Sequence, residues 1–358
     1  MSKLLEQTLK NLRKTYDAAI PDVKEVGIVK KIPVSSPNMN YILGGGIPRG
    51  RISVLLGQES GGKTIVASYL AGQIQKQKDY PNVICFIDME HTFDRNYASV
   101  VGLDTEDDSK FIFVRPKHGE EGFEIMKSLA ETGEIGMFIW DSVAATPSAR
   151  ALGKDIGSAT FGGTASVMAE GLKIVNPILS RFQIPSIFIN QVRAKIGGMP
   201  GYGPQENLKV GGYALPFYSS WSAKISRIED IMDKKETIGI KMRVKNTKSK
   251  IGIPKRIVDL DLYFKTGFNS DMEYIDFIVN LGYVDKAGAW LSNEEWGMKV
   301  QGRNGLLDYL KEHPSKFDEI KQEINNSFNQ HLAFDNENVI VDEDDTQEEE
   351  ENIDPLFA

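Results

Sequence analysis

Residues 57–64 read GQESGGKT, and no other stretch of the chain constrains its fold as tightly. The spacing is G-x-x-x-x-G-K-[ST]. It follows an apolar run, RISVLL, and precedes IVASYLAGQIQKQ, where Val66, Leu70 and Ile74 recur every four residues. A strand turning through glycines into a helix predicts a loop whose backbone N–H groups wrap a phosphate. Gly57, Gly61 and Gly62 permit the backbone geometry this requires. Gln58, Glu59, Ser60 and Ile65 complete the loop and the first helical turn. The helix N-terminus adds partial positive charge. Lys63 is expected at the β- and γ-phosphates and Thr64 at a magnesium ion, so ATP and Mg²⁺ are the expected cofactors. A chance glycine loop would not need both the strand before it and the helix after it.

From residue 51 onward, short apolar runs alternate with helical periods. RISVLL, NVICFID, KFIFV, GMFIWD and PSIFINQ read as buried strands, with FEIMKSLAETG among the helical segments between them. Alternation of this kind predicts an α/β fold, a mostly parallel sheet flanked by helices. WSAKISRIE, IGIKMRVKNT and RIVDLDLYF extend the strand set. We expect an N-terminal helix and strand over 1–34, a nucleotide-binding core over 35–268, a small α+β C-terminal domain over 269–333 and an acidic tail over 334–358. SSPNMNYILGGGIPRG reads as turn-rich, and MEYIDFIVNLG, GLLDYLKEH and SKFDEIKQEINNSF as the C-terminal helices.

Four further residues sit at or just past the ends of predicted strands. Asp141 closes MFIWD, where a carboxylate can hold magnesium, usually through water. Glu90, just past ICFID, can orient a water in line with a γ-phosphate; a solvated loop glutamate is the competing reading. Asp88 is either a structural neighbour of Glu90 or a second acid near the metal. Gln191 closes IFINQ, where a neutral amide can hydrogen-bond a γ-phosphate and sense its loss. Arg193 and Lys195 follow, and then GGMPGYGPQENLKVGG over 197–212, half Gly or Pro, with Met199, Tyr202, Lys209, Gly211 and Gly212. Glycines, cations and an aromatic suit a loop that tracks single-stranded nucleic acid. A long unstructured insertion is the alternative. KNTKSKIGIPKR, over 245–256, is a phosphate-binding patch or a solvated basic strand end.

The formal charge of −8 argues against nucleic acid until its distribution is considered. Residues 335–358 carry eleven acids and no Lys or Arg, so setting them aside leaves +3 on residues 1–334. The single cysteine, Cys85, lies in an apolar run, which predicts a buried reduced thiol and a cytoplasmic protein. No apolar stretch reaches the length of a membrane span, so no membrane partner is expected. The four histidines show no ligand spacing.

The ordered set GGGIPRGRISVLLGQESGGKT, FIDMEHTFDRNYASVVGLD, MFIWDSVAATP, IFINQVRAKIGGM, GGYALPFY and VDKAGAW resembles the RecA family of homologous-recombination ATPases over residues 35–328. The resemblance implies a DNA-dependent ATPase. It implies a homo-oligomeric helical filament on single-stranded DNA that pairs with double-stranded DNA and exchanges strands. It makes Glu90 the catalytic carboxylate and Gln191 the γ-phosphate sensor. It puts Asp94 and Tyr97 at the adenine, and has Lys248 and Lys250 reach the neighbouring protomer's ATP. It also places DNA-binding loops at 153–162 and 194–212. The chain departs from the family where Ser166 replaces a usual arginine, with Lys173 keeping a cation nearby, and where Pro200 replaces an aromatic, with Tyr202 close by. Pro177 is expected to end or kink its helix. These departures mark a divergent member, cellular or phage-encoded. The acidic tail, ending IDPLFA, reads as an electrostatic brake on DNA binding or as a docking peptide for single-strand-binding or loader proteins. Two other functions share the core: a hexameric helicase-type motor, and an ATP-gated filament that activates self-cleavage of partner proteins.

Overall fold

The computed structural model describes residues 2–15, 28–153, 163–191, 193–194, 206–207 and 211–329. A nine-stranded sheet dominates it. Its strands are β1 (Ile52–Gly57), β2 (Val83–Asp88), β3 (Phe111–Val114), β4 (Ile135–Asp141), β5 (Ser186–Gln191), β6 (Trp221–Asp233), β7 (Glu236–Ser249), β8 (Ile257–Tyr263) and β9 (Gly267–Phe268). The spatial order is β9-β8-β7-β6-β1-β5-β4-β2-β3. From β6 to β3 every pairing is parallel, whereas β6, β7, β8 and β9 pair antiparallel. All eight strands expected from the apolar runs are present, and β9 adds a two-residue edge.

The helices are α1 (Lys3–Thr15), α2 (Pro37–Leu43), α3 (Lys63–Gln75), α4 (Arg95–Val100), α5 (Gly119–Ala130), α6 (Ala149–Leu152), α7 (Gly163–Phe182), α8 (Ala214–Tyr218), α9 (Ser270–Asn280), α10 (Gly302–Glu312) and α11 (Pro314–Asn329). Strand alternation sends Met137 and Ile139 of β4 to one face, where they meet Val66, Leu70 and Ile74 of α3. Phe138 and Trp140 go to the other face, against Phe123 and Met126 of α5 and Leu172, Val175 and Leu179 of α7. A sheet buried on both faces explains why these strands read as unbroken apolar runs. Trp140 stacks on Phe123 at 4.5 Å, and its indole N–H donates to Thr146 Oγ1 at 2.9 Å. Cys85 is fully buried in the same layer, and burial pushes its thiol up to about 12.

Two local expectations are corrected, and the α+β character expected of the C-terminal segment is filled in. The turn-rich stretch before β1 contains α2, capped by Ser36, whose side chain accepts from Met39 N, and closed by Gly44 in the left-handed region. Pro177 does not end α7, which continues to Phe182. The C-terminal segment contains the three expected helices, and also a three-stranded antiparallel sheet of β10 (Asp285–Ala287), β11 (Trp290–Asn293) and β12 (Met298–Gln301). Those strands are too short to show a period. They pack with α9, α10 and α11 around a separate apolar cluster that includes Ile275, Leu291, Leu306, Phe317 and Phe328.

The junction between this cluster and the large sheet is polar. Glu273 of α9 accepts from Ser36 Oγ and from Asn38 N (3.4 Å), while Ser36 N donates to Tyr69 Oη at 2.8 Å. Burial, with Asp261 and Asp276 nearby, raises Glu273 to about 7, although the bonds from Ser36 and Asn38 oppose the shift. The folded state therefore holds this proton more tightly than the unfolded chain. The resulting stability is fully present below the ordinary glutamate range and is lost as pH rises through about 7. Between pH 5 and 8, wild-type protein should lose more unfolding free energy than Glu273→Gln, by on the order of 1–3 kcal/mol. Urea unfolding at several pH values measures the difference, and parallel pH profiles would contradict it.

Candidate functional site

The parallel registers bring four strand ends to one edge. Gly57 of β1 sits beside Gln191 of β5, and Asp88 of β2 beside Asp141 of β4. The crevice outside the carboxyl ends of such strands is where open α/β sheets bind ligands. Here it is a cleft of about 440 Å³ whose walls include the glycine loop, Glu90, Asp141 and Gln191.

The glycine loop is folded tightly against β6 and β7. A Cβ on Gly57 would lie 2.4 Å from Ile225 O, and one on Gly62 would lie 2.1 Å from Met242 Sδ. Gly62 also caps α3 in the left-handed region, at φ 94°. Lys63 is buried, and its ammonium donates to Gln58 O at 2.6 Å. Desolvation lowers its pKa, with Asp141, Glu90 and Glu59 pulling it back up. Gly61 through Ile65 line the cleft together with Glu59 and Ser60. Gly57 and Gln58 form the loop from behind and do not line it.

Thr64 Oγ1 donates to Asp141 Oδ2 at 2.6 Å. Asp141 is raised to about 6, first by burial, then by Glu90 and Asp88, against the Thr64 bond and Lys63. Its backbone carbonyl accepts from Met89 N (2.6 Å) and Glu90 N (3.1 Å), which ties the Glu90 segment to the end of β4. Gln191 Nε2 donates to Glu90 Oε1 at 3.1 Å, so the two residues singled out at separate strand ends touch. Asp88 faces elsewhere: it accepts from His91 N (2.8 Å) and pairs with Arg115 Nε (3.2 Å), a structural neighbour of Glu90 outside the cleft wall.

Asp94 caps α4 through bonds from Asn96 N and Tyr97 N, and Asp94 and Tyr97 line the far end of the cleft with Phe93 and Ala98. Sequence reasoning missed Arg227, Ile240 and Phe264, which close this cleft from β6, β7 and the end of β8. No local motif marks them, because antiparallel pairing beyond β1 brings them to the loop.

Lys248 and Lys250 do not line the cleft of their own chain. Lys248 Nζ donates to Pro216 O and to Ser219 O (2.9 Å), and Lys250 Nζ donates to Phe217 O at 3.1 Å, so both lysines are tied to α8 and the residues just after it. Desolvation and Lys250 lower the pKa of Lys248. Gly211 packs near Val143 and Gly212 near Ala165, both in left-handed geometry, which sets the end of the 194–212 segment against the start of α7. Lys173 is exposed on α7, and Ser166 Oγ donates to Glu170 Oε1 at 3.3 Å. Arg193 belongs to a two-residue pairing in which it faces Asn207. Lys195, Met199, Tyr202 and Lys209, and residues 154–162 of the other expected loop, lie outside the described residues. Among the described residues no helix is long and apolar enough to cross a membrane.

The loop geometry makes a specific demand at Gly62. Gly62→Ala should destabilise the protein by roughly 1–2 kcal/mol for the left-handed backbone alone, with a further cost from the Met242 clash. Adding Met242→Ala should relieve the clash but leave the backbone cost. Unfolding curves for the two variants and for Met242→Ala alone test this, and a neutral Gly62→Ala would contradict it.

Comparison with known proteins agrees with this geometry. Residues 3–269 match the RecA N-terminal domain family and residues 272–329 match the RecA C-terminal domain family. The chain is 35% identical to Protein RecA of Nautilia profundicola over 349 residues, covering 96% of this chain and 97% of that protein. It is 38% identical to Protein RecA of Campylobacter lari over 331 residues (91% and 93%). It is 36% identical to Protein RecA of Staphylococcus carnosus over 357 residues (98% and 95%). With both domain families matched in order and the phosphate loop, Asp141, Glu90 and Gln191 gathered at one sheet edge, the chain belongs to the RecA family of homologous-recombination ATPases.

Proposed function

We propose that this chain binds ATP in the cleft, assembles as a helical filament on single-stranded DNA, and catalyses homologous pairing and strand exchange with a duplex in recombination and repair. The contact between Glu90 and Gln191 carries this reading. It joins a carboxylate able to orient the attacking water to an amide at the end of β5, the strand that runs into the 194–212 segment. Loss of the γ-phosphate is thereby reported to residues expected on DNA.

The loop's N–H groups and Lys63 hold the β- and γ-phosphates and offset charge that builds during phosphoryl transfer. Glu90 aligns water with the γ-phosphate. Asp94 and Tyr97 position the adenine. Thr64 and Asp141 offer two hard oxygen donors 2.6 Å apart, a set that suits Mg²⁺ held through water. Bound there, Mg²⁺ would neutralise phosphate charge. Lys248 and Lys250, held by α8 away from their own cleft, are the cations for the next protomer's ATP. Hydrolysis then depends on filament contact, and DNA stimulates it by aligning neighbours. Exchange between like base pairs is nearly balanced in energy, so turnover serves release of the product.

The same residues would serve a hexameric helicase-type motor. The lysine pair and its anchorage on α8 favour the filament reading. Activation of partner self-cleavage is compatible with the same filament. We place the protein in the cytoplasm, with single-strand-binding or loader proteins as candidate partners of the acidic tail. Lys173, Arg193, Lys195, Met199, Tyr202, Lys209, Gly211 and Gly212 remain the proposed DNA contacts.

Glu90→Gln should lower ATP turnover at least about a hundredfold while ATP-dependent filaments on single-stranded DNA still form. Steady-state hydrolysis and negative-stain microscopy read the two effects separately. Normal turnover in this variant would remove Glu90 from the role.

A further inference from the structure

Arg227 is a cation in the cleft that the phosphate-loop chemistry does not use. Four carboxylates line the cleft among the described residues (Glu59, Glu90, Asp94 and Asp141), against two cations, Lys63 and Arg227. A triphosphate adds several negative charges to a wall that is already acidic. Lys63 alone leaves that charge largely uncompensated on the protein side.

The pairing of Arg227 with Asp230 depends on a defect in β6. In a regular strand, residues three apart point to opposite faces. The β6–β7 register shifts between Arg227 and Glu229, an irregularity at Ile228 that cancels one step. Arg227 and Asp230 therefore share a face, and the guanidinium donates to Asp230 Oδ1 through Nε (3.0 Å) and Nη2. Across the ladder Arg227 pairs with Met242 and Asp230 with Ile240. Met242 packs on Gly62 and Ile240 lines the cleft, so this face of the hairpin looks onto the phosphate loop. The Arg227–Asp230 pair is about half exposed on both sides, 46% and 42%, and such pairs contribute little to stability. Asp230 can thus hold the guanidinium in place and give it up at small cost. A planar guanidinium also suits a phosphate better than a single carboxylate oxygen does.

We propose that Arg227 is a second phosphate-binding cation of this cleft, parked on Asp230, which the β6 bulge brings to its face, and transferred to a phosphate of the bound nucleoside triphosphate. The proposal rests on the reading of the cleft as an ATP site. It assigns Arg227 to affinity and charge balance within its own chain, separate from Lys248 and Lys250.

Calorimetric titration of ATP, ADP and AMP, with Mg²⁺, into the full chain tests it, with Lys63→Ala as a control. Arg227→Ala should weaken ATP binding about tenfold and AMP binding much less, and Arg227→Lys should recover part of the loss. Asp230→Asn should bind ATP as tightly as wild type or more tightly, and that gain should vanish in the Arg227→Ala background. If Arg227→Ala binds ATP normally while Lys63→Ala does not, the cleft reading stands and the Arg227 proposal falls. Equal losses for ATP and AMP would also overturn it, because Arg227 would then shape the pocket rather than meet phosphate. Unchanged binding in Lys63→Ala would remove the ATP reading and this proposal together.

Discussion

Parallel register is the constraint on which this molecule depends. Gly57 lies beside Gln191, and Asp88 beside Asp141, only in the register that β1 keeps with β5 and β4 with β2. A slip of one residue in any pair would turn a strand's buried set to the wrong face. Because both faces are covered, by α3 on one side and by α5 and α7 on the other, such a slip would expose or bury the wrong side chains along a whole strand. The core thus fixes the register, and the register fixes the site. Residues 101 positions apart in sequence, Glu90 and Gln191, meet at 3.1 Å for this reason.

The site concentrates groups that a stable core would avoid. Lys63 and Asp141 are buried and ionisable, and burial shifts both toward their neutral forms. The Thr64 bond to Asp141 and the Lys63 bond to Gln58 O satisfy part of their hydrogen-bonding demand. Preorganised charge of this kind is what phosphoryl transfer needs, since the protein's contribution is mainly position and electrostatics. The same sheet carries the chemistry to its other end. β7 carries Met242 against the phosphate loop and Lys248 against α8, so one strand links the cleft of one protomer to the cations proposed for the next.

Much of this was legible in the chain, for identifiable reasons. Strands buried on both faces write themselves as apolar runs, so GMFIWD and PSIFINQ located β4 and β5 together with their terminal Asp141 and Gln191. The phosphate loop has a fixed spacing because backbone wrapping leaves few choices. Other features have no local signature. Arg227 reaches the cleft from the antiparallel hairpin and meets Asp230 through a bulge, neither of which has a period in sequence. The three short strands of the C-terminal sheet turn at Gly288 and Gly297 before any alternation can show. α2 hides in a turn-rich stretch, because the Ser36 cap and the left-handed Gly44 that bound it are themselves turn residues. α7 runs through Pro177, where packing of Val175 and Leu179 into the core outweighs a local breaker.

The most direct test of the central claim is strand exchange. A labelled single strand is incubated with the protein, ATP and Mg²⁺, and then with a homologous or a non-homologous duplex. The account predicts labelled joint product from the homologous duplex alone, dependent on ATP. Failure to form that product by a folded protein that hydrolyses ATP on DNA would contradict it and point to a motor built on the same fold.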